Sequence, residues 1–353
     1  MATFPSKVNF ATGDILTSAN MNDIGGAINL LDGAQFAAGK NKIINGDFGV
    51  WQRGTSFTPA AGNVYTADRF FASRDGSGAT ITISQKTFTP GTAPVAGYEG
   101  TYFLRFAQTV AGTGGTYNLL VQNIEDVRTF AGQTITISFW AKAAASHIMG
   151  VSTTQYFGVG GSSSVYSAAQ NNTLTTSWQR FTYTLTLPSI SGKTIGTSSA
   201  LGINFDLTPN TTKTVDIWGV QVEAASTASP FQTATGTKQG ELAACQRYYV
   251  RLNMSTGAPT FGSALGASTA SAYANAVIPV PLRVPPTSLE FSGLQLGDGV
   301  NYPAVTTCTL GASSSQSVIN VIASPATAVL TQFRPYNLGG TSSAAYLGFN
   351  AEL

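Results

Sequence analysis

The sequence predicts a mainly β protein, and three observations carry that prediction. Polar and apolar residues alternate with period two in residues 79–85, 133–139, 179–185 and 214–218, the pattern of strands that bury one face and wet the other. Turn chemistry separates these runs, as in Pro90-Gly91, Gly112-Thr113-Gly114-Gly115 and Gly160-Gly161. Charged residues make up only 10% of the 353, whereas exposed helix faces are normally filled by Lys, Glu and Arg. The full expectation is a short N-terminal helical anchor, a jelly-roll β-sandwich and a second, C-terminal β-sandwich.

Residues 1–40 begin extended and then offer helix caps in Thr12-Gly13-Asp14-Ile15-Leu16-Thr17-Ser18-Ala19-Asn20-Met21-Asn22. Ile24, Ala27, Ile28 and Leu31 follow at spacings of three, one and three, which predicts a short amphipathic helix. One such helix cannot bury its stripe alone. The partner is a sister helix in an oligomer or a docking surface on a larger particle; packing back onto its own domain is the alternative.

Residues 41–237 are expected to form the first sandwich. Residues 41–54 read as its opening strand: Ile43 and Ile44 supply strand character, Asn45-Gly46-Asp47 tolerates left-handed backbone, and Phe48, Val50 and Gln52 alternate in facing. Phe48 and Trp51 take packing roles, and Arg53 is placed to pair with Asp68. With no convincing helix between the strands, two antiparallel sheets in a jelly roll are the natural packing. Residues 238–250 read as a linker helix feeding a strand. Residues 251–353 repeat the β pattern, with Pro279, Pro281, Pro285 and Pro286 marking an edge or a bulged start because proline donates no ladder hydrogen bond.

Composition also excludes functions. A net charge of +2 with no basic run does not provide a nucleic-acid surface. No apolar window is long enough to span a bilayer, and residues 1–5 do not begin an export signal, so no membrane insertion is expected. Cys245 and Cys308 read as buried free thiols rather than a bridge. A surface this poor in charge suits subunits that bury much of their outside against copies of themselves.

Catalytic chemistry finds little support. His147 is the sole histidine, and no Gly-x-Ser-x-Gly elbow accompanies it. One His and two distant Cys make no zinc cluster. Glycoside hydrolysis needs only two carboxylates, but acids such as Asp68, Glu125 and Asp216 have ready structural uses. The protein is therefore expected not to be an enzyme. Sugar recognition needs exposed aromatics. Most of the tryptophans sit in alternating strands suited to core packing, so Tyr156, Phe157 and Tyr166, in the Gly/Ser-rich stretch 153–166, are the glycan-binding candidates.

Several segments together carry a resemblance: residues 41–54, Tyr65-Thr66-Ala67-Asp68-Arg69-Phe70, Ser138-Phe139-Trp140-Ala141-Lys142, residues 215–223 and Cys245-Gln246-Arg247-Tyr248-Tyr249. Over residues 41–250 the chain resembles bacteriophage tail-fibre and virion-appendage proteins built around a carbohydrate-binding-module-like jelly roll. Gly13, Asp14, Leu16, Thr17 and Asn22 are similar to an N-terminal element that in this family joins the fibre to the virion. Asp14, Leu16, Asn22, Ile24, Ile28 and Leu31 are thus the implied anchor. The resemblance also implies a homotrimer in the virion, tail or baseplate proteins as partners, and a host surface glycan as receptor. It further implies a structural calcium at Asp47 and Asp216, although Gly49 stands where an acidic residue often follows the Phe; no other cofactor is expected. A tail fibre that binds glycan by multivalent, non-catalytic contacts is the leading expectation. A head-fibre, decoration or collar protein, and a free carbohydrate-binding or glycan-degrading protein, are the alternatives.

Overall fold

A computed structural model describes residues 39–95, 98–254 and 260–353. The anchor residues Asp14, Leu16, Asn22, Ile24, Ile28 and Leu31 lie outside the described residues. Within them the protein is mainly β, with one short helix and antiparallel pairing throughout.

Two sheets face each other in the first body. One runs in spatial order Ser56–Phe57, Thr80–Thr87, Tyr102–Val110, Lys213–Glu223, Thr134–Ala143, Gln179–Thr186. The other runs Gln170–Leu174, His147–Tyr156, Ala200–Asp206, Asn118–Glu125, Phe70–Arg74, Gly62–Tyr65, with Val165–Tyr166 added beside His147–Tyr156. After the Thr80–Thr87 and Tyr102–Val110 pair the chain crosses between sheets at most connections, in the manner of a jelly roll. Ile81, Phe106, Ile137 and Ile217 from one sheet meet Phe70, Leu120, Val151 and Phe205 from the other in one dry core.

The alternating strands were expected to wet one face, yet Thr134–Ala143 and Lys213–Glu223 are buried on both. The chain after Glu223 lies across the outer face, where Thr136 Oγ1 donates to the Ala225 carbonyl at 2.8 Å and buried Glu223 accepts from the Ser229 amide at 2.8 Å. Beside it Phe88, Phe103, Trp140, Trp218 and Phe231 form a second aromatic core. Trp140 and Trp218 stand 5.5 Å apart in an edge-to-face contact. Gly219, at φ +65°, makes this possible, because a Cβ there would lie 2.7 Å from the Trp140 ring.

Residues 41–54 are not a strand; among the described residues the first strand is Ser56–Phe57. Asn45 and Phe48 both have positive φ, 62° and 55°, and this breaks the extended run. Side-chain amides replace the missing ladder. Asn41 donates to the carbonyls of Val220 and Gln232 and accepts from the amides of Ile43 and Val222. Asn45 likewise donates to the carbonyls of Val50 and Asp68 and accepts from the Val50 amide. Phe48 is fully buried, its ring 4.7 Å from Phe70, in the packing role expected of it.

The helix Lys238–Gln246 is capped by Thr237, whose side chain accepts from the Gly240 amide, and it leads into the strand Tyr249–Asn253. That strand pairs with Tyr346–Asn350, which pairs with Ser288–Ser292. A six-stranded sheet, from Leu294–Gly297 at one edge to Val305–Leu310 at the other, packs with this smaller sheet around Val250, Leu296, Ile319, Val321, Leu338 and Phe349. The strand Ala272–Val277 ends before Pro279, so the four prolines occupy a connection rather than an edge strand. Cys245 and Cys308 are both buried and unbridged.

Arg53 does not pair with Asp68. Its carboxylate partner is Glu352, whereas Asp68 accepts from the backbone and side chain of Gln52. The neighbouring residue decides this: Gln52 reaches back to Asp68, and Arg53 is released toward the chain's last residues. Among the described residues no helix is long and apolar enough to cross a membrane.

Candidate functional site

A cleft of about 460 Å³ opens where residues 47–52, residues 98–102 and the start of the helix Lys238–Gln246 come together. Trp51, Tyr98 and Tyr102 provide aromatic lining; Asp47, Gln52, Glu99 and Thr237 provide hydrogen-bonding groups.

Its shape follows from the local backbone. The two positive-φ residues turn the chain so that Asp47 and Trp51 both reach the cleft, and Trp51 is anchored by its indole Nε1, which donates to the Phe48 carbonyl at 2.7 Å. Gly46 lets this turn approach the sheet: the Val220 amide donates to the Gly46 carbonyl at 2.9 Å, and a Cβ on Gly46 would fall 2.1 Å from the Val220 oxygen. Tyr98 rests on the outer aromatic core, 5.5 Å from Trp218 and 5.1 Å from Phe231, and its hydroxyl donates to Asp47 Oδ2 at 3.1 Å.

Glu241 fastens the helix to the turn. One of its carboxylate oxygens accepts from the Asn45 amide at 2.7 Å, and the other from the Thr235 amide at 2.7 Å and the Thr235 hydroxyl at 2.9 Å. Burial pushes the Glu241 carboxyl upward; these hydrogen bonds act against that, and the Asp47 charge adds to it. Burial and the adjacent Asp47 also raise the Tyr98 hydroxyl, which therefore stays protonated and available as the donor to Asp47. Aromatic faces beside carboxylate, amide and hydroxyl groups suit a ligand with apolar ring faces and many hydroxyls.

The expected glycan residues fall elsewhere, and only partly together. Tyr166 is 70% exposed and is paired with Thr154 at the sheet edge. Tyr156, half-buried at the end of its strand, lies over Gly202, whose Cβ position is 2.8 Å from its ring. Phe157 is 1% exposed and cannot present its ring to a ligand. The stretch that read as a loop begins inside a strand and turns Phe157 inward.

Asp216, expected with Asp47 as a calcium ligand, is instead committed to cations. Both oxygens of Asp216 bond the Arg105 guanidinium, at 2.7 and 2.8 Å, with Lys142 at 3.8 Å. A carboxylate committed to two cations does not fit a metal ligand, and the described residues hold no group of three or more His, Cys, Asp or Glu able to hold a metal ion.

Tyr98, Glu99, Tyr102, Thr237 and Lys238 were not anticipated as site residues, and Trp51 was assigned only to packing. Tyr98-Glu99-Gly100-Thr101-Tyr102 is visible as two aromatics around a glycine. Nothing in that spacing ties it to position 51 or 238.

No protein-family model matches the chain, and no curated protein is similar to it. Among solved structures the chain is similar to one described as "CBM4 structure and function", at 25% identity over 41% of this chain and 87% of that one, with a TM-score of 0.28. It is also similar to the enzymatically active domain of bacteriophage CBA120 tailspike protein 4, at 13% identity over 53% of this chain and 22% of that one, TM-score 0.34. A third is the family 11 carbohydrate-binding module from Clostridium thermocellum in complex with a β-1,3-1,4-mixed-linked tetrasaccharide, at 16% identity over 48% of this chain and all of that one, TM-score 0.31.

Proposed function

We propose that this protein binds a glycan without cleaving it, and that the cleft beside Trp51 is where it does so. One observation carries this reading: a cavity of about 460 Å³ in which Trp51, Tyr98 and Tyr102 stand among Asp47, Gln52, Glu99 and Thr237. Saccharides combine apolar ring faces with hydroxyls, and the lining supplies a partner for each. Glu241, the buried carboxylate, is committed to backbone amides and is not free to act as an acid or base.

The wider role is attachment. The chain is a virion appendage of tail-fibre type, homotrimeric, joined through residues 1–40 to tail or baseplate proteins and presenting several weak sites to a host surface glycan. What supports this is the resemblance of residues 41–250 and of the Gly13-to-Asn22 element, together with a composition only 10% charged. A purely structural head-fibre, decoration or collar role is the second reading, since residues 1–40 would serve it equally.

A glycan array probed with the intact protein tests the binding reading. Wild type should bind host envelope saccharides, Trp51→Ala and Tyr102→Ala should lose that binding, and no reducing sugar should be released on prolonged incubation. Absence of any binding would leave the scaffolding role. Antibody labelling of intact particles in the electron microscope tests the location, and label absent from the particle would overturn the appendage reading.

A further inference from the structure

The cleft is charged as well as aromatic. Asp47, Glu99 and Glu241 line it, and among the described residues Lys238 is the one cation in its lining. Glu241 is used internally, but Asp47 and Glu99 are not exhausted. Asp47 accepts from the Tyr98 hydroxyl at 3.1 Å and the Gly49 amide at 3.2 Å, and Glu99 accepts from the Gly91 amide at 2.7 Å. A carboxylate offers about four acceptor positions, so both keep capacity for a ligand donor.

The negative field is felt by the neighbours. After burial itself, the Asp47 charge is what raises the Tyr98 hydroxyl, and it also raises Glu241. The positive end of the helix Lys238–Gln246 opposes this field, but Glu241 in its first turn offsets that partial charge. An anionic sugar entering here meets like charge. A cationic one gains charge-assisted hydrogen bonds to Asp47 and Glu99, which are roughly twice as strong as neutral ones.

We propose that the cleft is selective for saccharides bearing a protonated amino group and rejects those bearing carboxylates. This rests on the saccharide-binding reading above, and the test separates the two. The full chain is titrated calorimetrically at low salt with four probes: a glucosamine tetramer, the N-acetylglucosamine tetramer, cellotetraose and a galacturonic acid tetramer. The glucosamine tetramer should bind about tenfold or more tightly than the N-acetylated one, equivalent to about 1.4 kcal/mol. The galacturonic acid tetramer should bind least. The preference should shrink in high salt and in Glu99→Gln, whose altered side chain is exposed, and nearly vanish in Asp47→Asn/Glu99→Gln. Glu99→Gln alone keeps the test decisive should Asp47→Asn disturb Tyr98. Equal binding of the amino and neutral tetramers would overturn the selectivity and leave the saccharide reading standing. Failure of all four to bind would overturn both.

Discussion

The Arg53 guanidinium lies 3.4 Å from the Glu352 carboxylate, across 299 positions of chain. Glu352 also pairs with Arg69, and all three side chains are at least nine-tenths buried. Each arginine is sandwiched against a tyrosine: Arg53 sits 3.5 Å over Tyr249, and Arg69 sits 3.5 Å over Tyr248. One carboxylate near the end of the chain thus holds two cations of the first body against the aromatic pair that leads into the second.

Glu352→Gln should therefore be among the most damaging conservative substitutions in the molecule. Removing one partner of a buried ion pair leaves an uncompensated charge and costs about 3–5 kcal/mol. Two arginines lose their shared partner here, so the upper part of that range is expected. Urea denaturation reads the loss; a midpoint within error of wild type would show that the cluster adds no net stability.

Asp68 should give stability a distinctive pH dependence. Burial pushes its carboxyl up to about 6, against the lowering effect of Arg53 and the Gln52 hydrogen bonds. The folded value lies above the ordinary one of 3.8, so the folded state binds the extra proton between those limits. Its contribution is full below the ordinary value and is lost as pH rises through about 6. The stability difference between wild type and Asp68→Asn should fall as pH is raised from about 4 to 6. A difference that stays flat over that window would count against a proton on Asp68.

Phe157 and Trp51 should exchange the roles a reading of the sequence assigns them. Phe157→Ala opens a cavity in a packed site and should cost about 3–5 kcal/mol. Trp51→Ala should abolish the proposed saccharide binding while lowering stability less, because Trp51 is only partly buried. Tyr166→Ala, at an exposed position, should change neither property. Loss of binding in Tyr166→Ala would move the site to the sheet edge.

Gly46→Ala should destabilise by about 1–3 kcal/mol or more, since its Cβ would overlap the Val220 oxygen and force the turn away from the sheet. The same displacement moves Asp47 and Trp51, so the proposed saccharide binding should weaken in parallel at temperatures well below unfolding. Unchanged affinity in a folded variant would show that the turn does not set the cleft.

The β character was legible because period-two alternation is local: Thr80–Thr87 and Gln179–Thr186 form as strands wherever one face can be buried. The helix Lys238–Gln246 was legible because helical propensity is also local, whereas its Thr237 cap and the buried role of Glu241 came from the structure. Residues 41–54 do not form the expected strand because strand propensity at Ile43 and Ile44 says nothing about Asn41, whose amide donates to the distant carbonyls of Val220 and Gln232, or about Asn45, whose amide donates to Val50 and Asp68.

By itself the sequence determined the mainly β class, the low charge and the burial of Phe48, all of which depend on near neighbours and on hydrophobicity. Only the tertiary structure decided that Arg53 meets Glu352 rather than Asp68, that Phe157 turns inward, and that Trp51, Tyr98 and Lys238 share one cleft. The physical reason is that both the ion pair and the cleft are built by groups far apart in the chain. Their juxtaposition is set by the packing of whole sheets against one another, and no local spacing encodes it.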